Sequence, residues 1–135
     1  MNVTANVPVG ASATKSVEVT RELTVAHFHN EMPEVYGTPM MIYLMEVAGA
    51  AAIEPYLPEG WASVGAAVNV RHLAATPVGF TVTAKAEVIE VKDNLIIMAV
   101  EAHDGVETIG RGMHVRAPID LARFMKRVGQ KALNR

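Results

Sequence analysis

The pattern of apolar and polar positions predicts one long apolar helix preceded by a short strand. Residues 39–53 are almost entirely apolar and contain no Lys or Arg. Thr38 can accept a hydrogen bond from a free backbone N–H as N-cap, and Pro39 has the backbone angle of a first helical residue. We therefore expect the helix to begin here and to end before Pro58. Residues 16–20 alternate between polar and apolar positions, which predicts a strand with a half-buried face.

Further strands are predicted after the helix, at residues 63–72, 80–91, 95–103 and 106–116. Lys92-Asp93-Asn94 and Asp104-Gly105 lie between the last three, where tight hairpin turns are needed. These three strands should therefore form an antiparallel meander. Within residues 80–91, Val and Ala alternate with Thr, Lys and Glu, so one face of the sheet should be buried and the other wet.

Three segments give weaker signals. Residues 1–14 lack clear periodicity and are expected to be loosely ordered. Residues 24–36 are ambiguous and read best as a loop or short helical turn that could cover a site. From Asp120 onward the apolar residues have helical spacing with basic residues between them. We expect a solvated amphipathic helix packed on the domain, in preference to a phosphate-binding patch, because charge runs usually face water.

These elements predict an α+β protein with the hot-dog fold, in which a curved antiparallel sheet wraps around one long central helix. The chain has 135 residues, which is enough for a single domain with one core. One small sheet cannot fully cover a helix this hydrophobic, and an open edge strand invites pairing with a second copy. We therefore expect a homodimer, and the pattern leaves open whether dimers assemble further.

Composition narrows the possible partners and location. The net charge is −2, so the large basic field that favours nucleic-acid binding is missing. Cysteine is absent, which excludes disulfides, thiolate metal sites and a Cys nucleophile, and fits a reducing compartment. Residues 1–14 do not resemble a signal peptide, and residues 39–53 are shorter than the roughly 20 residues that span a bilayer. We expect a cytoplasmic protein without membrane or nucleic-acid partners.

Glu46 is a carboxylate in the middle of the apolar helix. Its neighbours at helical spacing are Ile42, Tyr43, Gly49 and Ala50, so no basic side chain on the same helix can neutralise it. A carboxylate buried in such surroundings without a partner costs several kcal/mol. One interpretation is a side chain that simply points to solvent. The other is a catalytic acid, because ionisable groups in unusual environments are concentrated at reactive sites.

His72 is the candidate partner of that carboxylate. It closes the strand at residues 63–72, where alternation places it on the same side as Val68 and Val70 and opposite Gly65. If the valines face the central helix, His72 does so too. An imidazole beside a carboxylate forms an acid/base pair that works near neutral pH. The alternative is a core histidine satisfied by a backbone carbonyl.

Four short motifs make the chain resemble the fluoroacetyl-CoA thioesterase family of hot-dog proteins. They are Pro33-Glu-Val-Tyr-Gly-Thr38, Leu44-Met-Glu46, His72-Leu-Ala-Ala-Thr-Pro77 and Ala102-His-Asp-Gly-Val106. The resemblance implies hydrolysis of acyl-CoA without a cofactor, by a catalytic set of Thr38, Glu46 and His72. It further implies that Gly65 and Arg116 lie at the substrate.

One departure from the family concerns the segment before the helix. The fluoroacetyl-specific enzyme carries phenylalanines there, whereas this chain has His29 and Met32 at the nearest matching positions. The resemblance therefore implies thioester hydrolysis but not fluoroacetyl selectivity. Met32 and Tyr36 are candidates for lining the acyl pocket, since Met adapts to several shapes, although both could equally be packing residues.

The expected mechanism assigns a role to each member of the set. Glu46 would act as general base on water or as nucleophile, His72 would carry a proton, and Thr38 would hydrogen-bond a reacting group. The backbone N–H near Gly65 would stabilise the oxyanion. Along an unbroken helix Thr38 and Glu46 are about 12 Å apart, so they cannot touch the same atom. We therefore expect a pocket at the dimer interface, as the resemblance implies.

Several alternatives remain open at this point. His27, His29 and Glu31 lie close in sequence, but neither His-Glu-x-x-His nor any Cys-His spacing is present, so we expect no metal. Ser63 lacks the Gly-x-Ser-x-Gly elbow of serine hydrolases. An enoyl-CoA hydratase with the same fold also pairs a carboxylate with a histidine. A non-catalytic dimer that binds acyl-CoA or another apolar ligand is the remaining possibility, because fold does not fix function.

Overall fold

The computed structural model describes residues 2–135 and contains one antiparallel sheet and three α-helices. The strands are β1 (Ser12–Glu18), β2 (Trp61–His72), β3 (Thr81–Lys92), β4 (Leu95–His103) and β5 (Thr108–Asp120). The helices are α1 (Val25–Phe28), α2 (Thr38–Ile53) and α3 (Leu121–Leu133), and short 3-10 turns occur at Val3–Asn6, Arg21–Leu23 and Glu54–Tyr56. Among these helices, none is both long enough and apolar enough to cross a membrane.

The sheet has the order β1-β3-β4-β5-β2, and every neighbouring pair is antiparallel. The predicted meander of β3, β4 and β5 is therefore confirmed. Asp93 and Asn94 form the first hairpin loop with φ angles of 52° and 64°, the left-handed conformation that a two-residue hairpin requires. Because β1 and β2 each have only one neighbour, they form the two edges of the sheet.

The second hairpin is longer than the predicted dipeptide turn. β4 ends at His103 and β5 begins at Thr108, two residues later than expected. The reason is Asp104, which is buried and accepts hydrogen bonds from the backbone N–H groups of Val106 and Glu107. These bonds keep Val106 and Glu107 in the loop, because their N–H groups are then not available for the hydrogen bonds between strands.

The core lies between α2 and the inner face of the sheet. Val82, Ala84, Ala86 and Val88 are completely buried on this face, as the alternation predicted. The helix approaches β5 closely at Gly49, where a Cβ atom would lie 3.2 Å from both His114 Cδ2 and Met98 Sδ. This close approach brings the preceding helical turn against the sheet, and Glu46 lies in that turn.

The N-terminal segment is more ordered than its sequence suggests. Val3 and Val7 are buried, and Val7 belongs to the core. β1 begins at Ser12 and pairs with β3 along its whole length, so the strand starts four residues earlier than predicted. Pairing with a neighbouring strand, and not local alternation, decides where this strand begins. Met1, the first residue of the segment expected to be loose, lies outside the described residues.

The C-terminal helix α3 has the predicted amphipathic sequence but does not bury its apolar face. Leu121, Phe124, Met125 and Val128 are all more than a third exposed. The expectation that this helix packs on the domain is therefore wrong for the single chain. The helix continues directly from the end of β5, and there it meets only the rim of the sheet near Trp61.

Candidate active site

Glu46 has an ionic partner that its own helix does not provide. Arg116 on β5 places Nη1 3.7 Å from Glu46 Oε2 and 3.5 Å from the Glu46 backbone carbonyl oxygen. The Glu46 side chain is 38% exposed, whereas that of Arg116 is only 7% exposed. The carboxylate thus lies at the border between the core and solvent, with its compensating charge behind it. Solvent or a ligand can reach it from the open side.

Arg116 is held firmly in the orientation that faces Glu46. Its Nε donates to Ser63 Oγ at 2.8 Å and its Nη2 donates to the Ser63 carbonyl oxygen at 2.9 Å. Nη1 lies 3.1 Å from His114 Nε2. Because these groups engage the guanidinium from three sides, Arg116 positions the carboxylate and has little freedom to move toward a substrate. Its predicted place at the substrate remains a prediction.

His114 is a member of this cluster that the sequence did not single out. It is buried, and its Nδ1 lies 2.9 Å from the carbonyl oxygen of Ala67. A carbonyl only accepts, so Nδ1 carries the proton and Nε2 accepts from Arg116, which only donates. Burial lowers the pKa of His114, and the charge of Arg116 acts in the same direction against the opposing effect of the Ala67 carbonyl. The sequence feature that could have identified His114 is its position two residues before Arg116, because residues two apart lie on the same face of a strand.

Gly65 lies against Glu46, on the face opposite to the predicted one. The register of β2 shifts between Gly65 and Ala67, where two β2 residues oppose one residue of β5. This bulge reverses the alternation, so Gly65 and His72 both face the helix. A Cβ atom on residue 65 would lie 2.5 Å from Glu46 Oε2. Glycine leaves room for the carboxylate in this position, where a larger residue would displace the Glu46 side chain, and it leaves the backbone of the strand accessible.

Thr38 and His72 form a second cluster. Thr38 Oγ1 lies 2.7 Å from His72 Nδ1, across the first turn of α2. Thr38 is therefore not the N-cap that the sequence predicted: Gly37 takes that position, and the Thr38 hydroxyl contacts the imidazole instead of a backbone N–H. Thr38 is the first residue of the helix, and its side chain is directed toward His72 at the end of β2.

The other nitrogen of His72 is buried and has no hydrogen-bond partner among the described residues. Burial lowers the pKa of His72, and the backbone of Ala74 opposes this effect in part. The ring is therefore neutral near pH 7, and Nε2 is its free position for exchanging a proton. A buried polar atom without a partner is uncommon in native structures and is often found at functional sites.

A cavity of about 450 Å³ opens beside His72. Met32, Tyr36 and Thr38 line it together with Val25 of α1 and with residues of the segment after β2. The buried Tyr36 hydroxyl donates to the Met40 carbonyl oxygen at 3.1 Å, and burial raises the pKa of Tyr36 to about 12. Tyr36 therefore forms a fixed wall, whereas Met32 is exposed and free to adjust.

The two clusters do not meet within one chain. Thr38 and Glu46 are separated by about 12 Å along α2 at 1.5 Å per residue. Gly65 and His72 are separated by roughly 23 Å along β2 at about 3.3 Å per residue. The structure therefore joins Thr38 to His72 and Glu46 to Arg116, in two half-sites beside the same edge strand. His27, His29 and Glu31 form no metal-binding cluster, and no group of three such ligands occurs within residues 2–135.

We expect the free energy of unfolding to fall as the pH drops below about 6.5. His72 and His114 have pKa values lowered from 6.5 by burial, so in this range the unfolded chain binds more protons than the folded chain. The loss begins near pH 6.5 and levels off below the lowered pKa values. Urea unfolding between about pH 5 and 8 measures it. His114→Gln should make the free energy of unfolding depend less steeply on pH. An unchanged pH dependence would contradict the assignment of this effect to His114.

Comparison with known proteins agrees with the observed architecture. A family model described as fluoroacetyl-CoA-specific thioesterase matches residues 19–122. The chain is 43% identical to the fluoroacetyl-CoA thioesterase of Streptantibioticus cattleyicolor over 129 residues, covering 91% of this chain and 93% of the relative. It is 42% identical to a solved variant of a fluoroacetyl-CoA thioesterase in complex with acetyl-CoA, with a TM-score of 0.83 over 92% of this chain and 98% of that chain. A hot-dog-like protein from Thermanaerovibrio acidaminovorans has a TM-score of 0.87 at 25% identity, covering 97% of both chains.

Proposed function

The chain belongs to the fluoroacetyl-CoA-specific thioesterase family, and from this premise we propose how it acts. It is an acyl-CoA thioesterase, which hydrolyses an acyl-CoA to the free acid and CoA. The proposed active site combines Glu46 of one copy with Thr38 and His72 of a second copy. The observation that carries this proposal is the arrangement of two incomplete half-sites along one open edge strand.

The edge strand β2 supplies the geometry for joining the half-sites. Residues 65–69 are exposed in the single chain, and β5 occupies only one side of β2. If two copies of β2 pair in antiparallel fashion about residues 68 and 69, Gly65 of one copy lies opposite His72 of the other. Such a two-fold arrangement brings each Glu46 near the Thr38–His72 pair of the second copy, and it removes an open sheet edge.

In the proposed reaction, water or the Glu46 carboxylate attacks the thioester carbonyl carbon. As general base, Glu46 takes the proton of the attacking water; as nucleophile, it forms an anhydride that water then cleaves. The C–S bond breaks in either route, and the thiolate of CoA receives a proton. His72 delivers or relays that proton through Nε2, while Thr38 orients the ring through Nδ1. A backbone N–H beside Gly65 stabilises the oxyanion.

The acyl group is proposed to occupy the cavity beside His72. Met32 and Tyr36 line this cavity. The family resemblance implies an aromatic residue at or near the position of Met32. A flexible thioether adapts to several small acyl groups and does not create a rigid aromatic gate. We therefore assign a small acyl-CoA as the substrate, without strong selectivity for fluoroacetyl over acetyl.

A thiol-release assay with a panel of acyl-CoAs tests this function. Acetyl-, propionyl- and fluoroacetyl-CoA should all release CoA, with kcat/KM values that differ by less than about 100-fold, as expected when one pocket distinguishes groups of similar size. Crotonyl-CoA, assayed by loss of its enoyl absorbance, should show no hydration. Hydration without thiol release would support a hydratase, and tight binding without either reaction would support a binding module.

A further inference from the structure

The buried carboxylate of Asp104 makes a contact beyond its own hairpin. Its Oδ1 accepts the hydrogen bonds from Val106 and Glu107 that hold the loop, whereas its Oδ2 accepts one from the hydroxyl of Thr76 at 2.9 Å. Thr76 is completely buried and lies 28 residues before Asp104 in the chain. The hairpin loop has its two backbone hydrogen bonds without this third one. The bond from Thr76 instead ties the hairpin to the segment that follows β2.

The segment that follows β2 forms one wall of the cavity beside His72. Residues 73–75, here called the wall segment, line this cavity and belong to neither a helix nor a strand. At one end of the wall segment, the Leu73 N–H donates to the Ile109 carbonyl oxygen of β5 at 2.7 Å. At the other end lies Thr76. The shape of this wall therefore depends on how firmly Thr76 is held.

Thr76 also connects the wall segment to a neighbouring wall of the same cavity. Its carbonyl oxygen accepts a hydrogen bond from the Tyr36 N–H at 2.8 Å, and the next residue, Pro77, forms a β-bridge with Val35. Val35 and Tyr36 both line the cavity. Thr76 thus lies where two walls meet, and a displacement of its backbone would move both of them.

The Asp104 carboxylate has the properties of a fixed anchor. Burial by itself would raise the pKa of Asp104, but the hydrogen bonds from Glu107, Val106 and Thr76 outweigh burial, so the pKa lies below its usual value. The carboxylate is therefore ionised at neutral pH. Its bond from the Thr76 hydroxyl is charge-assisted and roughly twice as strong as one between neutral groups. A buried polar group with all its hydrogen bonds made rigidifies its surroundings.

We propose that Asp104 is a positioning residue that holds the wall segment through Thr76 and so limits the size of the acyl group that the cavity accepts. Neither Asp104 nor Thr76 lines the cavity, so their effect on the substrate is indirect. The backbone of Ala74, in the middle of the wall segment, acts on the pKa of His72, so the same anchor fixes the surroundings of the imidazole. This inference rests on the proposed acyl-CoA thioesterase function for its choice of ligand.

Thr76→Val tests the anchor most directly, because it removes the hydroxyl and keeps the shape of the side chain. Asp104→Ala would free the hairpin loop as well. In Thr76→Val the wall segment should loosen, and the ratio of kcat/KM for butyryl-CoA to that for acetyl-CoA should rise roughly tenfold, since pockets discriminate by about tenfold or more per methylene group. Thr76→Ser should keep the wild-type ratio within about twofold, because its hydroxyl can make the same hydrogen bond.

Thr4→Val is the matched control for a loss of stability. The Thr4 side chain is also buried, and its hydroxyl donates to Asn2 Oδ1 in the N-terminal 3-10 turn. Both valine variants should lower the midpoint of thermal unfolding, because each leaves an acceptor without its donor. A ratio of two kcat/KM values does not depend on the amount of folded enzyme, so only Thr76→Val should change it. An unchanged ratio in folded Thr76→Val, or an equal change in Thr4→Val, would overturn the proposal.

The NMR signals of the His72 ring provide a readout that does not require activity. They should shift in Thr76→Val and return to the wild-type position in Thr76→Ser, whereas those of His114, in the other half-site, should stay unchanged. His72→Gln assigns the signals by their absence. Shifted His72 signals in a protein that hydrolyses no acyl-CoA would support the anchor and refute the thioesterase function. An active enzyme in which Thr76→Val leaves the acyl ratio unchanged would refute the anchor and leave the function intact.

Discussion

Glu46→Gln is expected to lower kcat for acetyl-CoA hydrolysis by about 10²–10⁴-fold, the range for loss of a positioned general base. An amide can neither take a proton from water nor attack the thioester, although it has nearly the same shape as the carboxylate. KM should change little, because binding of CoA does not depend on this group. After single-turnover hydrolysis in ¹⁸O-labelled water, label in the Glu46 carboxylate identifies a nucleophile, since water that cleaves the anhydride at the Glu46 carbonyl carbon leaves one oxygen there and a general base exchanges none.

The matched control for this variant is Glu90→Gln. Glu90 is exposed on β3, outside the inner face where α2 lies, so its replacement should leave kcat within about twofold of wild type. Thermal unfolding checks that Glu46→Gln is folded. The Glu46 side chain is 38% exposed but that of Arg116 only 7%, so removing the carboxylate leaves a buried guanidinium without its compensating charge and should reduce stability by about 1–3 kcal/mol. Near-wild-type turnover of folded Glu46→Gln would exclude both catalytic roles.

Mixed dimers should recover activity from two inactive variants. Glu46→Gln and His72→Gln homodimers each lack one half of every site, so both should be nearly inactive. A heterodimer of the two contains one site with both changes and one intact site, if Glu46 and His72 come from different copies. Co-expression with two different tags and tandem purification yields that heterodimer. Its activity per dimer should be about half that of wild type, since a two-fold dimer has two equivalent sites.

The control pairs two changes in the same half-site. Thr38 and His72 are hydrogen-bonded within one chain at 2.7 Å. A heterodimer of Thr38→Val and His72→Gln would therefore contain an intact site only if the two residues of one chain belonged to different active sites. We expect this heterodimer to retain at most the activity of the less damaged homodimer. An inactive Glu46→Gln and His72→Gln heterodimer would place the whole site within one chain and contradict the shared site. A wild type that is monomeric at assay concentrations would contradict it as well.

The cluster around Glu46 shows which contacts local sequence patterns do not predict. The helical spacing correctly indicated that no residue of α2 neutralises Glu46, but its partner Arg116 is 70 residues away. The resemblance named Arg116 without indicating what it contacts. His114 was not singled out, because nothing local distinguishes a histidine on a strand that binds a guanidinium from one that faces water.

The strand β2 shows the same limit in a different way. Alternation placed Gly65 and His72 on opposite faces, and one inserted residue between Gly65 and Ala67 brought them to the same face. Side-chain direction in a strand has a period of two, so a single bulge reverses every position beyond it. The bulge forms in the pairing with β5 and leaves no local mark in a stretch of small residues.

The sequence by itself determined the elements whose stability is local: the apolar helix at residues 38–53, the meander and the left-handed turn at Asp93 and Asn94. Helix propensity, alternation and turn chemistry act between residues that are close along the chain, so they can be read in order. Only the tertiary structure decided that Arg116 neutralises Glu46, that Thr38 contacts His72 and that α3 leaves its apolar face uncovered. These outcomes depend on strand register and on the packing of distant segments, whose energies no short stretch of sequence contains.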